Sequence, residues 1–337
     1  MNAFSDLSFL QMEKKNKKTL TVIIPTWNRA RYLEKNLEIL DSYLKRGLDF
    51  KILVCNNGST DGTKDVLKKY ESHPNVRIIN HPENIKFDRN VASGYLNFDT
   101  DYCFCLGDSK LLSYESLEKI IITINEEDVD ALIINVSKQM PKVDKYYNNV
   151  NTLMDEMGWS ITNVSSCVIP KRFISVERCE HYYDSLFIHY GVFIDALCAY
   201  SSGFKVKYDP SIVKEMIHFI DEPQPHGWSS NVYHVWAKVW FSFIMSLPWE
   251  VTLDTKFKVI HDLNKHCGYL SFKKFILAKV NRDETFLSDY NKDRIFMPFV
   301  STTPLWVYDI ITFIPSIFFQ CLRPLLILSP KYKDKLI

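Results

Sequence analysis

Between Thr19 and Asn135 the chain repeats one unit: a short apolar run, a polar turn, and then a segment with the spacing of an amphipathic helix. The apolar runs are Leu20 to Ile24, Phe50 to Cys55, Val76 to Ile79, Tyr102 to Leu106 and Ala131 to Asn135. After the first run, Leu33, Leu37 and Leu40 fall on one helical face. Strands separated by helices pair through right-handed crossovers, so the expected fold class is α/β, a Rossmann-like, mostly parallel sheet flanked by helices. Sheets of this kind bind ligands outside the carboxyl ends of their strands. Two such ends carry short polar side chains, Pro25-Thr26-Trp27-Asn28-Arg29 and Asn57-Gly58-Ser59-Thr60-Asp61-Gly62-Thr63, which predicts a single crevice.

Further helices are expected over 61–70, where an acidic start and Lys68-Lys69 at the end suit the helix dipole, and over 88–98. The run from Tyr102 is stopped by Gly107-Asp108, and the Lys-, Asn- and Tyr-rich stretch 137–151 reads as a loop over the site or a boundary. A second αβ segment spans 157–209 and closes on a strand after Gly203, at the end of a helix. Residues 229–292 read as helical, with Trp228, Trp236 and Trp240 supplying core bulk. The expected organisation is a polar tail over 1–18, a main α/β domain over 19–215 in two parts (19–112 and 130–215), a helical region over 216–300, and an apolar and basic tail over 301–337.

Composition excludes some function classes. With 41 basic against 40 acidic side chains the net charge is +1, so no broad electrostatic footprint for nucleic acid is expected. The eight cysteines have no Cys-x-x-Cys spacing and several sit in apolar runs, which suits a reduced, cytoplasmic chain. The segment 1–18 has no apolar stretch long enough for a signal peptide or a spanning helix. At the other end, 303–328 is apolar but carries Asp309, Gln320 and Arg323 and is broken by Pro304, Pro315 and Pro324, a poor spanning helix. It fits a segment lying on a membrane surface, with Trp306, Phe313, Phe318 and Phe319 in lipid and Lys331, Lys333 and Lys335 at anionic headgroups. The alternative is an apolar helix packed on the domain or on a second copy in a homo-oligomer.

Four motifs in order, Val22-Ile23-Ile24-Pro25-Thr26-Trp27-Asn28-Arg29, Asn57 to Thr63, Asn84-Ile85-Lys86-Phe87-Asp88-Arg89-Asn90 and Leu106-Gly107-Asp108-Ser109, resemble glycosyltransferase family 2, the inverting transferases of GT-A fold, across residues 19–210. The resemblance implies a nucleoside-diphosphate sugar donor, with UDP the expected nucleotide, held by Pro25, Thr26, Asn28 and Arg29 at the first strand end. It extends the donor site to Asn56, Asn57, Ser59, Thr60 and Asp61, to Asn84, and to Arg89 on the diphosphate. Asn56 and Asn57 stand where relatives carry an acid pair or an acid and an amide; an asparagine carbonyl still accepts a hydrogen bond from a base. Ser59-Thr60-Asp61 equally fits a helix cap.

The family places several carboxylates near Asp108 to hold a divalent metal, Mn2+ or Mg2+, whereas here Asp108 stands with Ser109 and Lys110. Either Asp108 still binds a metal held mainly by phosphate and water, or Lys110 supplies the positive charge for the leaving diphosphate. An inverting transfer also needs a base, and the acidic pair of the family is absent near His189-Tyr190-Gly191-Val192; His189, Asp184 and Asp195 are the candidates. Trp159 and Ser160 resemble the acceptor-side segment of polysaccharide-building relatives, and Trp228 is a weaker parallel. The implied reaction moves a hexose to a hydroxyl of a lipid-linked glycan, in surface or capsular polysaccharide assembly at the inner face of a bacterial membrane. A non-catalytic nucleotide-sugar binding module would account for the missing acids. A sugar nucleotidyltransferase would need a glycine-rich phosphate loop that Pro25-Thr26-Trp27-Asn28 is not.

Overall fold

A computed structural model describes residues 17–200, 203–217, 219 and 231–320. The repeat predicted from sequence is present. β1 (Leu20–Thr26), α1 (Ala30–Lys45), β2 (Lys51–Asn56), α2 (Thr63–Lys68), β3 (Val76–Asn80), α3 (Phe87–Asn97) and β4 (Tyr102–Cys105) follow one another, and β1, β2, β3 and β4 pair in parallel. Successive β1 side chains go to opposite faces: Val22 and Ile24 meet α1 with its Leu33, Leu37 and Leu40, while Ile23 joins the other core. That second face is packed closely. A Cβ on Gly94 of α3 would lie 2.5 Å from Ile23 Cγ2, so only glycine lets the helix seat against the strand.

The sheet continues through β5 (Lys110–Leu112), α4 (Tyr114–Glu126), β6 (Ala131–Asn135), β7 (Lys145–Tyr147), α5 (Val150–Ile161), β8 (Cys167–Pro170), α6 (Val176–His181), α7 (Ile188–Ala199) and β9 (Val206–Met216). Strand order is β3-β2-β1-β4-β8-β6-β9-β5, with β7 also on β9. β8 lies antiparallel between β4 and β6, which makes the nine-stranded sheet mixed. The strands β5, β7 and β8 are three or four residues long, too short to carry a readable alternation, so the stretch 137–151 holds a strand and the start of α5 rather than only a loop.

Beyond β9 the described chain is helical, as the sequence suggests. A π-helical turn, His234–Val239, leads into α8 (Trp240–Ser246), then α9 (Leu253–Cys267), α10 (Phe272–Asn281), α11 (Glu284–Asp293), α12 (Met297–Val300), α13 (Leu305–Phe313) and α14 (Ser316–Gln320). These helices share one apolar core with α5 and α7, in which Trp236 and Trp240 are buried beside Phe187 and Tyr190; Trp228 lies outside the described residues. No described helix is long and apolar enough to cross a membrane. On α13 and α14, Trp306, Ile310, Phe313 and Ile317 are exposed, Phe313 at 88%. The basic residues after 320 lie outside the described residues.

Candidate active site

The carboxyl ends of β1 and β2 are stitched together by side chains. Asn28 adopts a left-handed backbone, φ 53°, which sends its N–H to Ser59 Oγ at 2.9 Å while its Oδ1 accepts from the Thr60 N–H at 2.8 Å. Asp61 accepts from the Ala30 N–H at 3.0 Å and from the Thr63 N–H at 3.0 Å, tying the starts of α1 and α2. Of the alternatives open for Ser59-Thr60-Asp61, the cap is therefore built. Asn56 is fully buried, donating to Asn80 Oδ1 at 2.9 Å and accepting from the Ser59 N–H at 3.2 Å, so it forms the floor of the turn and does not face a ligand. Asn57 donates to Asn84 Oδ1 at 3.0 Å and accepts from the Ile85 N–H at 2.8 Å, which draws the third motif onto the second.

Asp108 sits where β4 ends, buried, accepting from Thr26 Oγ1 at 3.0 Å with the Arg29 guanidinium 3.9 Å away. The segment is fixed from both sides. The Gly107 N–H donates to Ser165 Oγ at 3.0 Å, and the buried Asn36 of α1 donates to the carbonyls of Asp108 (3.1 Å) and Lys110 (2.7 Å). Burial pushes the Asp108 carboxyl up to about 6 despite Arg29, the Thr26 hydroxyl and Lys110. Burial lowers Lys110, and it lowers Lys214, with Lys110 adding its charge, to about 7. The fold family implies a divalent metal at this position. Hard cations want several oxygen ligands, yet here one carboxylate faces Arg29 and Lys110, with Lys214 beside Lys110, and no group of three His, Cys, Asp or Glu among the described residues could hold an ion. The donor set does not fit.

At the start of α3, Arg89 Nη1 reaches both Asp184 oxygens, at 3.0 and 3.1 Å, and Lys86 Nζ reaches Oδ1 at 2.9 Å. The carboxyl of Asp184, half-exposed, is held below its ordinary range by Arg89 and Lys86. Behind it, the buried Asp88 carboxylate accepts from the Leu186 N–H at 2.8 Å and the Ile188 N–H at 3.3 Å, locking α3 to α7; burial raises its carboxyl to about 6 against those two bonds. Asn36 and Ser165 escape a sequence reading because nothing in their local pattern marks a residue whose partner lies dozens of positions away, and Asp88, though inside the third motif, has no readable role until its partners Leu186 and Ile188 are brought to it. Of the five described non-glycine residues with positive φ, four, Asn28, Lys86, Asp184 and Leu186, border this edge of the sheet, as backbone strain does at functional sites.

The base and acceptor candidates need correction. His189 is buried, its Nε2–H donates to the Thr162 carbonyl at 3.2 Å, and its Nδ1 is enclosed without a partner. Burial drops its pKa to about 4, so the ring is neutral and closed to an acceptor hydroxyl. Because the folded-state value lies below the unfolded one, the stability it allows is complete above pH 6.5 and is lost as pH falls through 4, about 3 kcal/mol at most. We expect His189→Gln to flatten the fall in unfolding free energy between pH 7 and pH 4.5, measured by urea denaturation; an unchanged slope would place the charge elsewhere. Asp195 is committed to Arg178 at 2.6 Å. Trp159 is buried with its face stacked on His266 at 4.1 Å, and Ser160 Oγ donates to Met157 O at 2.7 Å within α5, so both serve the helical core and not an acceptor face.

Comparison with known proteins places this geometry. The model of the glycosyl transferase family 2 domain matches residues 21–185. Abequosyltransferase RfbV of Salmonella typhimurium is 32% identical over 100 residues, 29% of this chain and 30% of that protein. Dolichyl-phosphate beta-glucosyltransferase ALG5A of Trichomonas vaginalis is 27% identical over 136 residues, 37% of this chain and 42% of its own length. The chain thus spans under half of either relative. Among solved structures, S. aureus TarS 1–349 in complex with UDP-GlcNAc superposes with TM-score 0.55 at 14% identity, over 84% of this chain and 82% of that one. Mannosyltransferase PcManGT from Pyrobaculum calidifontis in complex with GDP-Man and Mn2+ gives TM-score 0.52 at 12% identity, over 95% and 83%. At such identity these structures speak to the fold, which is GT-A. With the four motifs gathered at one sheet edge and the domain match over them, the chain belongs to glycosyltransferase family 2.

Proposed function

We propose that this protein transfers a hexose from a nucleoside-diphosphate sugar to an acceptor hydroxyl with inversion at the anomeric carbon. The observation that carries this is the junction of Thr26, Arg29 and Asp108, which brings the ends of β1 and β4 together beside the Asn57–Asn84 loop. A nucleoside lies along the β1 and β2 ends, and its diphosphate reaches the cations around Asp108. The acceptor oxygen forms a bond to the anomeric carbon as the bond to the diphosphate oxygen breaks; the leaving oxygen keeps the electron pair, and the acceptor proton passes to a base. Asp184 takes that role here: ionised at neutral pH and half-exposed, it sheds Arg89 and Lys86 as these turn to the phosphates.

The acceptor is a lipid-linked glycan in surface polysaccharide assembly, and UDP is the nucleotide to test first. Support comes from the apolar side chains that α13 and α14 leave in solvent and from relatives named for abequosyl transfer and for transfer to dolichyl phosphate. Those side chains rest on the cytoplasmic face of the membrane. The test is incubation with UDP- and GDP-hexoses and a lipid-extracted acceptor pool, products read by mass spectrometry, alongside flotation with anionic vesicles. Transfer is expected from one donor class. Trp306→Ser with Phe313→Ser is expected to lower vesicle binding about tenfold and to leave donor binding unchanged; flotation equal to the parent protein would remove the membrane assignment. A second possibility follows from the buried, neutral His189 and the replaced acids at Ser109 and Lys110: donor binding without turnover on any acceptor would make the chain a binding module.

A further inference from the structure

We propose that Lys214 of β9 and Lys110 of β5 together form the seat of the donor diphosphate, so that the donor binds without a divalent metal. The inference rests on the function proposed above and adds a residue to it. β5 and β9 are antiparallel with Lys110 opposite Met216 and Leu112 opposite Lys214. Opposed residues share a face and successive ones alternate, so Lys110, Leu112, Lys214 and Met216 project to one side, with the two lysines diagonal neighbours about 7–8 Å apart. Leu112 is buried in the core that α1 and α4 share, and both lysines are partly enclosed.

Neither ammonium has a carboxylate at ion-pair distance among the described residues, whereas the partly enclosed Lys119 pairs with Asp209, Lys207 pairs with Glu127 and stands 3.8 Å from Asp209, and the buried Lys256 and Lys279 reach backbone carbonyls. The carboxylate beside Lys110 is already engaged by Thr26 and Arg29. Two like charges on one face of a two-stranded ribbon repel each other. Arg29 and Lys110 stand at the single carboxylate of Asp108 and Lys214 lies diagonal to Lys110, so the three cations outnumber the one acid; a ligand with two negative phosphates balances them, and a dication at the same place is disfavoured. The ribbon also explains how the site is held: Asn36 fixes the Lys110 carbonyl, and the Ile217 N–H donates to Ser109 O at 2.9 Å. When the bond to the sugar breaks, the negative charge left on the diphosphate oxygen meets ammonium groups already in position.

The test is calorimetric titration of the full chain with UDP, and with GDP in parallel, in EDTA and in Mn2+, with the matching nucleoside as control. Diphosphate affinity is expected to differ less than threefold between EDTA and Mn2+. Lys214→Met is expected to weaken the diphosphate at least tenfold and to leave nucleoside binding unchanged, with Lys214→Arg restoring most of the loss. Loss of binding in EDTA, or unchanged affinity in Lys214→Met, would overturn the proposal. If the parent protein binds neither nucleoside diphosphate in either buffer, the proposed function itself falls. Should Lys214→Met not fold, Lys214→Gln carries the same comparison, and the salt dependence of diphosphate against nucleoside affinity in the parent protein gives a second readout: equal dependence would overturn the proposal.

Discussion

Gly58→Ala is expected to weaken nucleotide binding by about tenfold or more and to lower the unfolding midpoint, the larger part of the damage falling on the donor site. Gly58 has φ 65°, a left-handed conformation that costs an alanine about 1–2 kcal/mol. The second cost is steric. A Cβ there would stand 2.3 Å from the Glu83 carbonyl carbon and 2.6 Å from its Cα, and backbone has no rotamer to escape through. Relief requires the loop 81–86 to move away, which breaks the Asn57 bonds to Asn84 and Ile85. Gly47→Ala is the control, since Gly47 also has positive φ, 94°, but nothing lies within 4 Å of its would-be Cβ. It should lose only the conformational part and bind nucleotide as the parent does. Equal effects of the two substitutions, measured by thermal unfolding and calorimetry, would show that the loop contact does not shape the site.

What the sequence made legible follows from the range of the interactions involved. The parallel units β1-α1-β2-α2-β3 are readable because each carries its own signals within about 30 residues: an apolar run, a polar turn and a helical stripe such as Leu33, Leu37 and Leu40. The motif residues at the strand ends are readable for the same reason, and the structure does assemble Thr26, Asn28, Asn57, Asn84 and Asp108 at one edge. Long-range contacts decide the rest. Asn56 lies next to Asn57 in the chain, but strand alternation and the pairing with β3 turn it into the floor. His189 has the intrinsic pKa of a base, yet its place at the buried start of a mostly apolar helix removes the water a base needs. Lys214 is invisible as a site residue until the three-residue strand β5 pairs with it across about a hundred positions. Trp159 looks like a sugar platform until α9 brings His266 over its face.

Asp108 should show the sharpest separation of activity from stability in this chain. Its carboxylate links Thr26 and Arg29, and in the proposed reaction it orients these groups toward the donor; Asp108→Ala is expected to reduce transfer about 10²–10³-fold, the scale of losing one preorganised electrostatic group. Asp108→Asn keeps the volume and the acceptor for the Thr26 hydroxyl but removes the charge. Because burial raises the folded-state pKa to about 6 from 3.8, the stability tied to protonation is fully present below pH 3.8 and is lost as pH rises through 6. The parent protein therefore carries a buried anion at neutral pH that costs about 3 kcal/mol relative to its protonated form. Asp108→Asn resembles that protonated form at every pH. Its unfolding free energy, measured in urea, should match the parent near pH 4, exceed it increasingly up to pH 6, and hold a constant advantage above; Asp88, raised in the same way, is present in both proteins and cancels in the difference. Transfer by the parent should rise over the same interval as the carboxylate ionises, while the variant stays slow throughout. A variant no more stable than the parent at pH 8 would mean that Arg29 and Lys110 compensate the burial, and a variant with full activity would remove Asp108 from the site.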